Sequence, residues 1–257
     1  MSFAISISVL GLLQAALVAV PGPLPPLPVG SLRSRWWALL PPGSIVLVVA
    51  AIELDGGSAT ALAWLALFAV PPLAALALAT LVRGARPAWA LLAVPLLILA
   101  WALPASLAGE GSATLLTALA CIALGWLLVS VVPALWLRLG VYAMAAVDVW
   151  FVASDLLQGP NAVLATAVPA SGLPRLQAVH LGSAQMGFGD LFVAAVVGCL
   201  LASEARRQRL AAILVAALAL AFDLLFFAVD ELPATVPVAV ALALVSSGAS
   251  LRPRRPG

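Results

Sequence analysis

Residues 113–137 read ATLLTALACIALGWLLVSVVPALWL, without a single charged side chain. The hydrocarbon core of a bilayer is about 30 Å thick and takes about 20 helical residues to cross. This run is long enough to cross and too apolar to present a solvated face. Eight more runs of the same kind surround it, at 3–20, 37–52, 59–82, 87–108, 139–158, 186–204, 210–229 and 232–251. The sequence therefore predicts an all-α polytopic membrane protein with nine spans. Two runs carry proline pairs, Pro41-Pro42 and Pro71-Pro72. Kinked helices persist in membranes where neighbouring groups satisfy the freed carbonyls. The first run lacks a basic leader (MSFAISIS) and reads as a retained helix rather than a signal peptide.

Composition agrees. Of 257 residues, 65% are hydrophobic and 9% charged, against about 25% charged in ordinary soluble domains. Mean hydropathy is +1.20. A soluble domain with this balance has too few polar residues to cover its core, and a disordered chain would not be so apolar. A net charge of +2, with no basic stripe interleaved with aromatics, excludes a nucleic-acid partner. Cys121 and Cys199 sit inside apolar runs and read as small buried hydrophobes, not a disulfide.

The charges set orientation. Arg33, Arg35, Arg83, Arg86, Arg138, Arg206, Arg207, Arg209, Arg252, Arg254 and Arg255 fall on one side of the nine runs, with Glu204 among them. Glu53, Asp55, Glu110, Asp155, Asp230 and Glu231 fall on the other, with Arg175 as its one basic residue. The positive-inside rule then predicts the N-terminus outside and the C-terminus in the cytoplasm. An arginine-only, Ala/Leu-rich chain suggests a GC-rich prokaryotic genome, hence a plasma membrane. The longest connection, 159–185, is unusually apolar for a loop, and its length suits a functional segment lying on the membrane or forming short strands.

Three acids lie well inside runs: Asp148, Asp190 and Asp223. Each ionised acid at a helix centre costs about 2.5–3.5 kcal/mol on insertion scales. Asp148 and Asp190 belong to consecutive antiparallel runs and can face each other. Two carboxylates in contact cannot easily both ionise, so such a pair shares a proton and can activate water against a carbonyl. The alternative is a pair of hydrogen-bonded structural acids. In depth, Asp148 lies about 15 Å of helix from Arg138 and Asp190 about 24 Å from Arg206. Tilt, or unwinding at the glycines, must absorb an offset of about 9 Å.

Local motifs favour chemistry. Asp190 follows Gly187 and Gly189 in GFGD, where glycine permits close backbone approach. Asp148 stands in DVWFV, and the ninth run opens on LPATVPV, where Pro233 and Pro237 disrupt the first turn. The order of these motifs resembles the presenilin and signal peptide peptidase family of intramembrane aspartyl proteases. GFGD matches the family's GxGD, Asp148 matches the acid of its YD motif, and Pro233-Ala234 matches the first two positions of PAL. Val147 replaces the tyrosine, removing a hydroxyl beside the first acid, and Thr235 replaces the leucine. The specific motifs fall within 147–237; earlier runs match by number alone.

The resemblance implies catalytic Asp148 and Asp190, with substrate positioned by Gly187, Gly189, Pro233, Ala234 and Thr235, beside strand pairing to 159–185. It implies a scaffold over 1–138 and a catalytic core over 139–257 within one membrane domain. Substrates would be transmembrane helices, of type II or signal-peptide-like orientation. No metal or organic cofactor is implied. Prepilin peptidases also carry GxGD, but usually with a basic residue two positions after the acid, where this chain has Phe192. A proton-coupled transporter using the acids as a relay, or a silent scaffold for membrane helices, are the readings from other classes.

The remaining candidates have plainer readings. Asp223 reads as a partner for a polar group between helices. Asp155, seven residues after Asp148, is expected on the same helical face at the outer interface. His180, the one histidine, is expected on a loop surface and has no companions for a metal. Trp36, Trp37, Trp89 and Trp136 read as interface anchors, and Trp150 and Phe151 as packing or lipid-facing residues.

Overall fold

The computed structural model describes the chain apart from residues 28–29, 56, 157, 171, 228, 230–231 and 248–257. Asp230, Glu231 and the three tail arginines therefore lie outside the described residues. The architecture is mostly helical. Its α-helices are α1 (Phe3–Ala19), α2 (Leu40–Leu54), α3 (Gly57–Leu76), α4 (Ala93–Ala102), α5 (Leu107–Val131), α6 (Ala134–Ala153), α7 (Gln158–Thr166), α8 (Phe188–Leu201), α9 (Ala205–Asp223) and α10 (Val236–Ser247). A 3₁₀ turn, Arg35–Leu39, leads into α2, and another, Pro87–Leu92, into α4. Pro87 opens the second of these turns, where its missing N–H has no helical partner to lose, while Pro41 and Pro42 fall at the start of α2. Helix α3 runs through Pro71 and Pro72 and ends in a π turn, Ala77–Leu81.

Among the described residues, five stretches are long and apolar enough to cross a membrane. They are Arg35–Leu54, Gly57–Leu81, Leu107–Val131, Ala134–Ala153 and Ala205–Phe226. Phe3–Ala19, Pro87–Ala102, Phe188–Leu201 and Val236–Ser247 are apolar but shorter. Each of the nine expected runs holds a helix, and five of these helices reach spanning length.

The chain also departs from an all-α plan. Strands β1 (Ala178–Leu181) and β2 (Ala184–Gly187) form an antiparallel hairpin within and just beyond the long connection. Gly182 has φ +61° at the first central position of the two-residue turn, the place where a II′ turn needs glycine. Three contacts hold the hairpin and its approach to α5. Thr117 Oγ1 donates to the Leu176 carbonyl (3.1 Å), Thr114 Oγ1 to the His180 carbonyl (3.4 Å), and the Gly182 N–H donates to Glu110 Oε2 (2.7 Å).

Small residues set the packing, as expected where lipid removes any hydrophobic drive between helices. Helix α1 packs against α8 and α9, and α5 against α3, α4 and α8. At Gly198 a β-carbon would collide with the Leu17 carbonyl oxygen of α1, and at Gly125 one would stand 3.1 Å from the α8 backbone at Ala195. Gly198 has no room for a β-carbon, and at Gly125 one would require the α8 backbone to give by a few tenths of an ångström. A polar knot ties the same helices together. Buried Gln208 donates through Nε2 to the carbonyls of Pro21 (2.9 Å) and Gly198 (3.2 Å), and its Oε1 accepts from Arg83 (2.7 Å). Free Cys121 and Cys199 are both buried. Trp36, Trp37, Trp89 and Trp136 are exposed, and the Arg35 guanidinium lies 5.2 Å from the Trp36 ring centroid and 5.7 Å from that of Trp136.

Candidate active site

Asp190 owes its position to how α8 begins. Strand β2 ends at Gly187, which is extended (φ −67°, ψ 150°) and serves as the N-cap. Asp190 then falls on the third residue of the helix, and its Oδ2 accepts the Gly187 N–H at 3.1 Å. This is the acidic half of a capping box, and it fixes the side-chain direction. The GxGD spacing thus places the acid in the first helical turn, directly after a strand. The expected run 186–204 contains a shorter helix than a spanning segment requires.

Asp148 comes from the interior of α6 and is 5% exposed. Met144, one turn earlier on the same face, is buried against α8. A β-carbon on Gly189 would lie 3.1 Å from Met144 Cε, so the Met144 side chain of α6 packs just beside Asp190. Helix α6 starts at Ala134, about 21 Å of helix before Asp148, and α8 ends at Leu201, about 16 Å beyond Asp190. Counted from these helix ends, Asp190 is the nearer of the two by about 5 Å, the reverse of the offset counted from the arginines.

Pro233, Ala234 and Thr235 precede α10, and Thr235 is fully buried. Both the Thr235 hydroxyl (2.6 Å) and its N–H (3.3 Å) are hydrogen-bonded to Asp148 Oδ2. The residue that departs from PAL therefore supplies the first acid with a hydroxyl, which Val147 cannot do. On α1, Gln14 Nε2 donates to the Ala234 carbonyl at 3.0 Å and reaches the Asp190 carbonyl at 3.5 Å. Segments around 148, 190 and 235 thus meet at one place, joined there by a residue near the N-terminus. Sequence reasoning missed Gln14. Its signal was a lone amide inside an otherwise apolar run, where an unsatisfied polar group is costly.

Other candidates resolve separately. Asp223 accepts a hydrogen bond from the Ser8 hydroxyl at 3.0 Å, between α9 and α1. Asp155 does not share a helical face with Asp148. It lies past the end of α6 with φ +58°, while the Leu156 N–H donates to the Phe151 carbonyl (3.0 Å). This six-to-one bond around a left-handed residue is a Schellman ending, so Asp155 terminates the helix. Phe151 is buried and Trp150 is 61% exposed.

His180 lies in β1, not on a loop surface, and its Nε2 is buried without a partner among the described residues. Burial, and then Arg175 nearby, hold its pKa below the ordinary value, with Glu110 acting in the opposite direction. The folded hairpin thus prefers the neutral ring. The resulting stability is complete above the ordinary value of about 6.5 and is lost as pH falls through the lower folded value. Hydrogen exchange at the hairpin amides, corrected for intrinsic rates, should show loosening as pH falls below about 6.5. A His180→Gln chain should not respond over that range; equal loosening there would count against His180 as the cause.

No protein-family model, curated protein or solved structure matches the chain.

Proposed function

We propose that the protein is an intramembrane aspartyl protease, with nine membrane-crossing segments and Asp148 and Asp190 as its catalytic pair. The observation that carries this reading is the convergence of three motifs 42 and 43 residues apart (148 to 190, 190 to 233). Thr235 holds Asp148, Gly187 holds Asp190, and Gln14 joins the two groups of contacts. In the reaction, one ionised carboxylate takes a proton from water as its oxygen attacks the scissile carbonyl. The other, protonated, gives its proton to the carbonyl oxygen. The gem-diol then collapses and the C–N bond breaks: the carboxyl that took the water's proton gives it to the departing nitrogen, and the other carboxylate takes one from a gem-diol hydroxyl, which restores the pair. Hairpin β1–β2 leads directly into Asp190, so an unwound substrate paired along β2 would be delivered beside the acids. Gly187, Gly189 and Pro233 to Thr235 frame that approach.

The test is to incubate the purified full-length chain in bilayers with single-span apolar peptides and identify new termini by mass spectrometry. Cleavage within the apolar segment is expected, with one solvent oxygen in the new carboxyl group. Intact peptides, together with proton-coupled uptake of a solute, would favour the transporter reading.

A further inference from the structure

We propose that Gln14 of α1 is a positioning residue for the aspartyl pair, an inference that rests on the proteolytic reading above. Gln14 is 1% exposed and lies on the most buried stripe of α1, with Leu10 and Val18 one turn away on either side and both fully buried. An apolar side chain would be the default at such a position. A primary amide carries two N–H donors on one nitrogen. Here that nitrogen faces two backbone carbonyl oxygens, which can only accept, so the orientation of the amide is dictated by its partners.

These partners connect the two acids. One carbonyl belongs to Asp190 itself. The other belongs to Ala234, whose successor Thr235 holds the Asp148 carboxylate through its N–H and hydroxyl. The path from α8 through Gln14 to Thr235 and Asp148 sets the register of α6 against α8 at the reacting groups. Gln14 touches neither carboxylate, so its effect passes through the backbone it holds. Without its donors, the segment before α10 is free to shift relative to α8. A misplacement of about 1 Å at a catalytic pair costs on the order of a hundredfold in rate.

The experiment compares wild type, Gln14→Met, Gln14→Glu and Asp190→Asn as full-length chains in bilayers, using one single-span peptide across a pH series. Methionine keeps the length and removes both donors. We expect kcat to fall about 10- to 100-fold, KM to stay within about twofold, and the melting temperature to stay near that of wild type. Glutamate offers one donor when protonated and none when ionised. Its activity relative to wild type should therefore rise on acidification, whereas the Gln14→Met ratio stays flat. The titration of Asp148 and Asp190 is common to wild type and Gln14→Met and cancels in that ratio. A residue that merely packs α1 would tolerate methionine with no loss of kcat. Wild-type kcat in Gln14→Met overturns the inference while leaving the protease reading intact. If Gln14→Met does not fold, a pH-independent Gln14→Glu ratio overturns it instead. Absence of cleavage by wild type removes both.

Discussion

Asparagine at either position 148 or position 190 is expected to abolish cleavage while the chain still folds. At 148, the amide oxygen of asparagine can accept from the Thr235 N–H and hydroxyl as the carboxylate oxygen does. At 190, the same oxygen can accept from Gly187 and keep the N-terminal cap of α8. What asparagine cannot do is hold and release a proton. Acid–base groups contribute about 10²- to 10⁴-fold to rate, and both halves of the pair are needed in one step, so the loss should reach at least about a thousandfold. Stability should hold or rise, because burying an ionisable carboxyl is costly and an amide avoids that cost. Peptide turnover and a melt on the same preparation check both halves. Retained cleavage in either variant means the pair is misassigned. Asp223→Asn serves as the contrast: its Ser8 bond joins α1 to α9 and takes no part in the reaction, so turnover should persist.

Much of the fold was legible because apolar length is a strong signal. Even so, the run quoted at 113–137 becomes a helix at Leu107–Val131, six residues earlier. Ser106 explains the shift. Its hydroxyl accepts the Gly109 N–H at 3.1 Å and starts the helix within the end of what reads as the preceding run, 87–108. Glu110 then lies in the first turn, where the helix dipole favours a negative charge, rather than in a connection. Pro133 follows the far end and cannot continue the ladder. The hairpin left a readable trace in AVHLGSAQMG, two short runs separated by Gly-Ser, but its apolar setting masks the alternation that marks a strand.

The candidate site was legible only where a motif repeats a known pattern. Asp148, GFGD and Pro233-Ala234 could be picked out; how they join could not. Thr235 looked like a departure from its motif, and the benefit of that departure lies 87 residues away at Asp148. Gln14 and Gln208 are single amides in runs 3–20 and the arginine-flanked start of α9, with no periodicity to distinguish them. Their significance comes from backbone carbonyls that converge only in three dimensions.

A substrate helix in one orientation is expected to be cut and its reverse spared. The groups that would bind an extended peptide are fixed in direction. Strand β2 runs into the α8 N-terminus at Asp190 with a single chain polarity, and Gln14 ties the Asp190 and Ala234 carbonyls together. A peptide paired with such an edge places its carbonyl correctly in one polarity and not in the other. The orientation of the enzyme in the bilayer therefore decides which substrates qualify. On the proposed nine-segment arrangement, eleven of twelve arginines fall on one side, which predicts the N-terminus outside and the C-terminus in the cytoplasm. That arrangement is similar to signal peptide peptidase and inverted relative to presenilin. Helices with a cytoplasmic N-terminus, such as signal-peptide-like or type II segments, should be preferred by at least about tenfold, equivalent to about 1.4 kcal/mol. Glycine or proline near the scissile bond should increase cleavage, because the bond must leave its helix before water can reach it. Matched single-span reporters carrying one apolar segment in both orientations measure the preference. Faster cleavage of the reporter with its N-terminus outside would overturn either the topology or the polarity of binding. Side-specific protease access to a C-terminal tag separates the two: a tag reached only from the cytoplasm upholds the topology and leaves the binding polarity at fault.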